Sequence, residues 1–130
     1  MEQRIMESFA KQGLMQTLGA ELTAVVNGRS EIVCEFKEGL SQQHGLFHGG
    51  VIASIADSAC GYAALTVMPE GAEVLTVEFK VNFLKAADTS RLRAVGTVLQ
   101  SGRKLTICEG HVYSEDGTLC AKMTATLIAI

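Results

Sequence analysis

A single carboxylate stands in the middle of a long apolar segment, and two adjacent glycines open that segment. The acid is Asp57, and no other residue between Val51 and Met68 carries a charge. A carboxylate in such surroundings is costly unless a partner or a reaction uses it. The pattern favours a site in which amides at Gly49 and Gly50 bind a carbonyl oxygen. Asp57 would then attack the adjacent carbon or activate water to attack it.

The two glycines suit an oxyanion hole. The first N–H groups of a helix have no internal acceptor and lie at the positive end of its dipole. Because Gly49 and Gly50 lack side chains, a substrate oxygen can approach these N–H groups closely. Losing one such donor typically costs about 10²–10³ in rate. The alternative is that the two glycines only permit a tight turn from a loop into a helix.

Small residues surround Asp57 on its predicted helix. The neighbours one turn away are Ala53, Ser54, Cys60 and Gly61, so space remains beside the carboxylate. A carboxylate next to free volume in an apolar wall is typical of a functional group. The alternative is a buried Asp that is satisfied by Ser54 or by loop N–H groups.

The spacing between the two features constrains how they can cooperate. Gly49 and Asp57 are eight residues apart, which on one helix is about 12 Å along the axis. A nucleophile must lie about 3 Å from the carbon that it attacks. One helix therefore cannot supply both groups to one substrate. If both are catalytic, the sequence predicts a site formed between two subunits.

Two helices and six strands are predicted around this site. Residues 1–18 show a loosely amphipathic pattern, which predicts an N-terminal helix on the outside of the fold. Residues 50–67 are predicted to form a central helix, apolar on nearly every side and ended by Pro69 and Gly71. The predicted strands are Glu21–Val26, Glu31–Phe36, Val74–Leu84, Arg91–Gln100, Leu105–Ser114 and Leu119–Ile130.

This element order predicts an α+β fold, in which one curved antiparallel sheet wraps around a single buried helix. The first two strands form a hairpin at Asn27-Gly28, and the last three form a meander. In Val74–Leu84, alternation places Val77, Phe79, Val81 and Phe83 on one face. Because no element is left to cover the outer face of the sheet, dimerisation or higher assembly is expected there.

The composition fits one domain over residues 1–130, with 48% apolar and 19% charged residues. A net charge of −3 argues against nucleic acid as the main partner. The four cysteines lack a C-x-x-C pair, which favours reduced, buried thiols in a cytoplasmic protein. The N-terminus lacks the apolar segment of a signal peptide. Because Asp57 would lie at the midpoint of any span, a buried helix is a better interpretation than a membrane helix.

A longer motif connects these residues to a known family. The motif is Gln42-x-x-Gly45-x-x-His48-Gly49-Gly50, with Asp57 eight residues beyond Gly49 and the strand Thr76–Leu84 later in the chain. It resembles the hotdog-fold acyl-CoA thioesterases, and most closely the phenylacetate-pathway (PaaI-type) branch. The resemblance covers nearly the whole chain from the first strand onward. It implies a hotdog fold, hydrolysis of acyl-CoA to a free acid and CoA, a homodimer as the minimal active unit, and a homotetramer as the expected assembly.

The resemblance also implies roles for individual positions. The Gly49 N–H would polarise the thioester carbonyl, and Asp57 of the other subunit would act as nucleophile or general base. Gln42 would orient the attacking water or contact the thioester. His48 would either orient the thioester or hold the loop by a structural hydrogen bond. Thr76 matches a position where some members place a helpful hydroxyl. The Ser or Thr that one branch has a turn after the acid is absent, because that position is Gly61.

Further residues are predicted to contact the substrate. Gly50 and Ser58 are expected beside its reactive end. Arg103 and Lys104 follow the turn at Gly102 and are candidates for binding the CoA phosphates, as are Lys85, Arg91 and Arg93 near strand ends. The alternative for each of these basic residues is an ordinary solvated position. The predicted reaction needs no metal and no cofactor.

Two other functions remain open on the sequence. A hotdog-fold hydratase or dehydratase would need a His paired with an acid, and His48 could be recruited. A non-catalytic acyl-CoA binding protein would bind CoA esters without releasing thiol. A zinc site is a poor fit to the three histidines, His44, His48 and His111, and no serine-hydrolase elbow is present.

Overall fold

Six antiparallel strands and one long helix dominate the structure, a computed structural model that describes residues 2–130. The helices are α1 (Glu2–Ala10), α2 (Gly13–Leu18) and α3 (Gly49–Leu65). The strands are β1 (Glu21–Val26), β2 (Arg29–Glu35), β3 (Val74–Phe83), β4 (Arg91–Ser101), β5 (Leu105–Ser114) and β6 (Leu119–Ala129). The curved sheet has the order β1-β2-β4-β5-β6-β3 and wraps around α3. The predicted α+β hotdog architecture, the hairpin and the meander are thus confirmed.

The N-terminal segment differs from its prediction. The single helix expected over residues 1–18 is two short helices, which meet at Gln12 in an extended conformation; Met1 lies outside the described residues. On one straight helix, Ile5 and Leu18 would point about 140° apart. The break lets both side chains turn into the core, where Ile5 is 0% and Leu18 is 6% exposed.

The central helix α3 lies against the inner face of the sheet, and its bounds differ from the predicted 50–67 only at the ends. Gly96 of β4 makes this close approach possible, because any Cβ there would overlap the backbone of Ala59 and Cys60 on α3. The hydroxyl of Ser30 donates to the Ala59 carbonyl at 2.7 Å. At the far end of α3, Nη2 of Arg4 donates to the Leu65 carbonyl at 3.0 Å, which fastens α1 to α3.

Strand β3 forms one edge of the sheet and contains an irregularity that matters for the site. The pairing register with β6 shifts between Thr76 and Glu78, so Val77 is an extra, bulged residue. Without the bulge, Thr76 and Val81 would point to opposite faces. With it, Thr76 contacts α3 while Val81 packs against the same core. The predicted shared face of Val77, Phe79, Val81 and Phe83 is therefore interrupted at Val77.

The exposed surfaces of the sheet differ in character. On the outer face, Glu31 pairs with Arg29 at 2.9 Å and with Arg93 at 3.0 Å. The edge strand instead exposes large apolar side chains. Leu75, Val77, Phe79 and Phe83 are each between 44% and 55% exposed. The β3 edge thus exposes a row of large apolar side chains, and the expected assembly through the outer face stays a prediction.

The four cysteines are free and buried, as predicted. No helix in the described part of the chain is both long and apolar enough to cross a membrane.

Candidate active site

Asp57 lies half-buried on α3 and lines a cavity of about 320 Å³. The cavity lies between α3, the start of β3 and the N-terminal helices. Burial raises the pKa of the Asp57 carboxyl above its usual range, and a hydrogen bond from Thr76 offsets part of that rise. A carboxylate that is partly desolvated and faces open space is a stronger base and nucleophile than one in bulk water.

Thr76 holds the Asp57 carboxylate in place. Its hydroxyl donates to Oδ1 of Asp57 at 2.7 Å, and the bulge at Val77 is what turns Thr76 toward α3. One carboxylate oxygen is thus fixed. Within the described residues, Oδ2 has no donor and is left for a substrate or for water. The hydroxyl of Thr76 thus contacts the carboxylate, and its predicted help in the reaction stays a prediction.

The Thr76→Val variant is expected to reduce kcat about tenfold, because a hydrogen bond to a charged group is lost. KM should change little if Thr76 acts only through Asp57. The pKa of Asp57 should rise further, since the lost hydrogen bond lowers it. The acidic limb of the kcat–pH profile should therefore move to higher pH, which steady-state kinetics at several pH values would measure.

Thr124→Val is the matched control, because Thr124 is exposed on β6 away from α3. It should leave kcat and the pH profile unchanged. If Thr76→Val kept the wild-type kcat and acidic limb, Thr76 would have no positioning role.

The N-terminus of α3 presents one free amide. His48 is the N-cap residue, and its Nδ1 accepts a hydrogen bond from the Gly50 N–H at 2.7 Å. The Gly50 amide is therefore already used by His48, and the expected contact of Gly50 with a substrate stays a prediction. Among residues 2–130, no acceptor lies within hydrogen-bond reach of the Gly49 N–H. This hydrogen bond gives His48 a structural role, and its role toward a substrate stays a prediction.

An aromatic side chain of the edge strand lies beside Gly49. A Cβ at position 49 would lie 3.2 Å from Cζ of Phe83, so the ring rests against Gly49. Phe83 is nevertheless 55% exposed. The free amide and its apolar neighbour thus lie together at the surface, at the end of β3 opposite to Thr76.

The loop before α3 is held by Gln42. Its Oε1 accepts from the backbone N–H of His44 at 2.6 Å and of Leu46 at 3.1 Å. Its backbone N–H also donates to the Leu46 carbonyl at 2.9 Å. These bonds fix the loop that ends at His48, so Gln42 has a structural role. In the described structure, Nε2 of Gln42 donates to no protein group, which leaves it free for a thioester or a water.

The two halves of the predicted site are separated, as expected. Gly49 and Asp57 both lie on α3, about 12 Å apart along its axis. Gly49 is grouped with Phe83, and Asp57 with Thr76. One subunit therefore contains two half-sites that point to different places.

The remaining predicted residues have different placements. Ser58 lines the Asp57 cavity, and its hydroxyl lies 3.4 Å from Oε1 of Gln12. Arg103 and Lys104 are exposed in the β4–β5 turn. Strand pairing places this turn at the end of the sheet where Thr76 lies, since Thr76 pairs with Leu127 and Leu127 with Thr106. No group of three or more metal-ligating side chains occurs within residues 2–130.

Several residues of the cavity wall were not predicted, and three of them carry uncharged polar groups. Ser8 and Gln12 come from the N-terminal segment, and Tyr62 lies five residues beyond Asp57 on α3. Tyr62 was visible in the sequence as the one aromatic residue with a polar tip on this helix. Nothing in the sequence placed Ser8 and Gln12 beside it, because this depends on the break between α1 and α2.

Comparison with a family model links this geometry to known proteins. The model described as the thioesterase superfamily matches residues 44–121, more than half of the chain. The match begins in the loop that Gln42 holds and ends in β6, so it contains Gly49, Asp57 and Thr76.

Individual proteins are similar over most of their length. A crystal structure of a thioesterase family protein from Silicibacter pomeroyi has a TM-score of 0.96 and 45% identity, covering 99% of this chain and 97% of that one. The PaaI protein of the E. coli phenylacetic acid degradation operon has the same fold, with a TM-score of 0.88, 18% identity, and 95% and 88% of the two chains covered. A 1,4-dihydroxy-2-naphthoyl-CoA hydrolase of Listeria monocytogenes is 24% identical over 115 residues, which are 88% of this chain and 94% of that one.

Proposed function

This chain belongs to the thioesterase superfamily and has the hotdog fold, and we propose that it is a PaaI-like thioester hydrolase. It hydrolyses acyl-CoA to a free acid and CoA at sites shared by two subunits. The observation that carries this proposal is the edge strand β3. Its two ends contact the two half-sites, Thr76 at Asp57 and Phe83 at Gly49.

Pairing of two β3 strands would join the half-sites. If two copies pair antiparallel about the middle of β3, the Thr76 end of one strand lies beside the Phe83 end of the other. The Gly49 amide of one subunit then approaches Asp57 of the second, and twofold symmetry creates two such sites. The exposed apolar side chains of β3 supply the area to be buried. We also propose that two dimers form a homotetramer. The mass of the assembly, measured by light scattering, would distinguish the dimer from the tetramer.

In the proposed reaction, the thioester carbonyl oxygen accepts a hydrogen bond from the Gly49 N–H at the positive end of α3. Asp57 of the second subunit either removes a proton from the attacking water or attacks the carbonyl carbon itself, with water then cleaving the anhydride. The carbon–sulfur bond breaks, and the thiolate of CoA takes up a proton. Nε2 of Gln42 is free to orient the water or the thioester. The reacting groups of this proposal are the Gly49 amide, the Asp57 carboxylate and water.

CoA as the carrier is supported by the position of the basic turn and by one relative. Arg103 and Lys104 are exposed at the Thr76 end of the sheet, where a phosphate group can reach them. The Listeria relative carries the name of a CoA thioester hydrolase. The four free thiols support a cytoplasmic location, in which CoA esters occur.

The geometry favours hydrolysis over hydration or dehydration. Hydration and dehydration need a His paired with an acid to move protons on carbon. Nδ1 of His48 instead accepts from the Gly50 N–H at 2.7 Å, so one of its two ring nitrogens is used to cap the helix. Release of free thiol from saturated acyl-CoAs, without hydration of enoyl-CoA, would separate the two activities.

Subunit complementation tests the shared site. The Asp57→Asn subunit lacks the acid, and the Gly49→Pro subunit lacks the amide. Proline fits the backbone at this position, because Gly49 is the first helical residue and His48 has the extended backbone that precedes proline well. The half-exposed Phe83 ring has to shift by a few tenths of an ångström to admit the proline Cβ. Each variant alone should be inactive. A mixed dimer has one intact site of two, so a random equimolar mixture should regain roughly a quarter of wild-type activity.

The mixture should be prepared by co-expression or joint refolding, so that subunits exchange. An equimolar mixture in which both subunits carry Asp57→Asn is the control and should stay inactive. Failure of the mixed sample to regain activity, despite mixed dimers seen by mass spectrometry, would show that each chain forms its own site.

A further inference from the structure

The turn between β1 and β2 has the residues of a deamidation site. It consists of Asn27, which is exposed, and Gly28; we call these two residues the hairpin tip. The backbone nitrogen that follows an asparagine can attack the amide carbon of its side chain. Glycine hinders this attack least, because it has no Cβ. The other asparagine of the chain, Asn82, is followed by the bulky Phe83, so the hairpin tip is the reactive pair.

The folded structure occupies the group that would attack. The Gly28 N–H donates to Oγ1 of Thr66 at 2.7 Å. Thr66 caps the C-terminal end of α3, and only 6% of the residue is exposed. Its hydroxyl hydrogen is given to the Ala63 carbonyl at 2.6 Å, which fixes the orientation of the oxygen that accepts from Gly28. The nitrogen of the hairpin tip is therefore engaged with a buried acceptor.

The direction of this bond keeps the two reacting atoms apart. The electron pair that attacks takes the place of the N–H bond and points the same way, which here is toward Thr66. The Gly28 carbonyl accepts from the Val98 N–H of β4 at 2.9 Å, so the residue is held on both sides. For the nitrogen to turn toward the Asn27 side chain, the bond to Thr66 has to break. Reaction therefore requires a local opening of the hairpin tip from α3.

We propose that Asn27 is a latent deamidation site, which reacts with water when the hairpin tip opens from α3 and is protected while Thr66 holds Gly28. Solvent base removes the Gly28 amide proton, and the nitrogen forms a bond to Cγ of Asn27. The bond from Cγ to the side-chain nitrogen breaks, and that nitrogen takes up a proton and leaves as ammonia. Water then opens the succinimide ring at one of its two carbonyls, which yields aspartate or isoaspartate.

Formation of isoaspartate would make the opening permanent. The main chain of isoaspartate runs through the side-chain carbons, which lengthens the backbone of a two-residue turn. The bonds from Gly28 to Thr66 and to Val98 are not expected to re-form together on this longer backbone. The fraction of modified chain then records how often this end of α3 has opened. The modification is independent of the proposed hydrolysis, because it involves no residue of either half-site.

The test follows deamidation by intact-mass spectrometry at mildly alkaline pH, with peptide mapping to locate it. In the folded wild type, Asn27 should react at least about tenfold more slowly than in the chain unfolded in urea. Thr66→Val keeps the side-chain shape but removes the acceptor, so it should raise the rate in the folded protein about tenfold. Thr66→Ser keeps the hydroxyl and is the matched control, which should react at the wild-type rate. Asn27→Ser should abolish the mass gain.

Low urea concentrations separate opening of the hairpin tip from global unfolding. Opening of one turn exposes little surface, so its frequency changes little with urea, whereas global unfolding depends steeply on urea. The deamidation rate of Thr66→Val should therefore be nearly flat at low urea. If that variant does not fold, hydrogen exchange of the Gly28 amide in the wild type gives the same measurement and should also be flat.

Three results would overturn the proposal. The first is a folded wild-type chain that reacts as fast as the unfolded chain, since the fold would then give no protection. The second is a Thr66→Val variant that folds and reacts at the wild-type rate, since the bond to Thr66 would then not be the guard. The third is a rate of deamidation or of Gly28 exchange that rises with urea as steeply as global unfolding does.

Discussion

The Asp57→Asn variant is expected to lose about 10²–10⁴ of the hydrolytic rate, because an amide can neither accept the proton of water nor attack a carbonyl efficiently. Asn keeps the size of Asp and can still accept from Thr76, so the fold and the binding of CoA esters should persist. Thiol release from several acyl-CoAs would measure the loss. A variant that hydrolysed them at the wild-type rate would remove Asp57 from the mechanism.

The same substitution should stabilise the protein near neutral pH. Burial raises the pKa of Asp57 in the folded chain, so between the unfolded and folded pKa values the folded state binds more protons. The raised pKa of Asp57 therefore contributes to the stability of the wild-type protein. This contribution is complete below the unfolded pKa and is lost as pH rises through the folded pKa. Because Asn does not ionise, the variant does not lose stability in this way. Thermal unfolding should show the variant's advantage growing from acidic to neutral pH, and an advantage that shrank would contradict the burial.

Gly96→Ala is expected to destabilise the fold by at least about 3 kcal/mol. Its Cβ would lie 2.6 Å from the Cys60 nitrogen and closer still to the Ala59 carbonyl. These are backbone atoms of the central helix, and they cannot move aside as a side chain could. The helix would have to lift from the sheet and lose the Ser30 hydrogen bond to Ala59. Denaturant unfolding would measure the effect.

Gly13→Ala is the matched control for that prediction. Position 13 begins α2, its φ is not positive, and nothing lies within 4 Å of an added Cβ. Alanine there should be neutral or stabilise by up to about 1 kcal/mol, through its helix propensity. If both variants were equally stable, the helix and sheet would not be packed as closely as Gly96 indicates.

Elements with strong local signals were predictable from the sequence. The alternating segments gave β3 to β6 within two residues at each end, and the apolar run after Gly49 gave the central helix. The spacing of Gly49 and Asp57 was also decisive, because helix geometry turns eight residues into a distance that no side chain spans. These features depend on neighbours along the chain.

What the sequence could not supply depends on neighbours in space. The position of β3 at the edge of the sheet was not predictable, because its apolar residues would equally suit a central strand. The bulge at Val77, which gives Asp57 its partner Thr76, has no glycine or other local marker. His48 was a motif residue with two possible roles, and its contact with the Gly50 amide, which supports the structural role, could not be read from the sequence.

Strand β3 has a consequence for the solubility of the protein. An edge strand with exposed apolar side chains and unpaired backbone groups is a template on which other extended chains can add, and such edges promote aggregation. Pairing with its own copy would close this edge. The contact that completes the two active sites would then also protect the chain while it is newly made. Substitutions that weaken it should therefore appear first as low yield and precipitation, before an inactive monomer can be isolated.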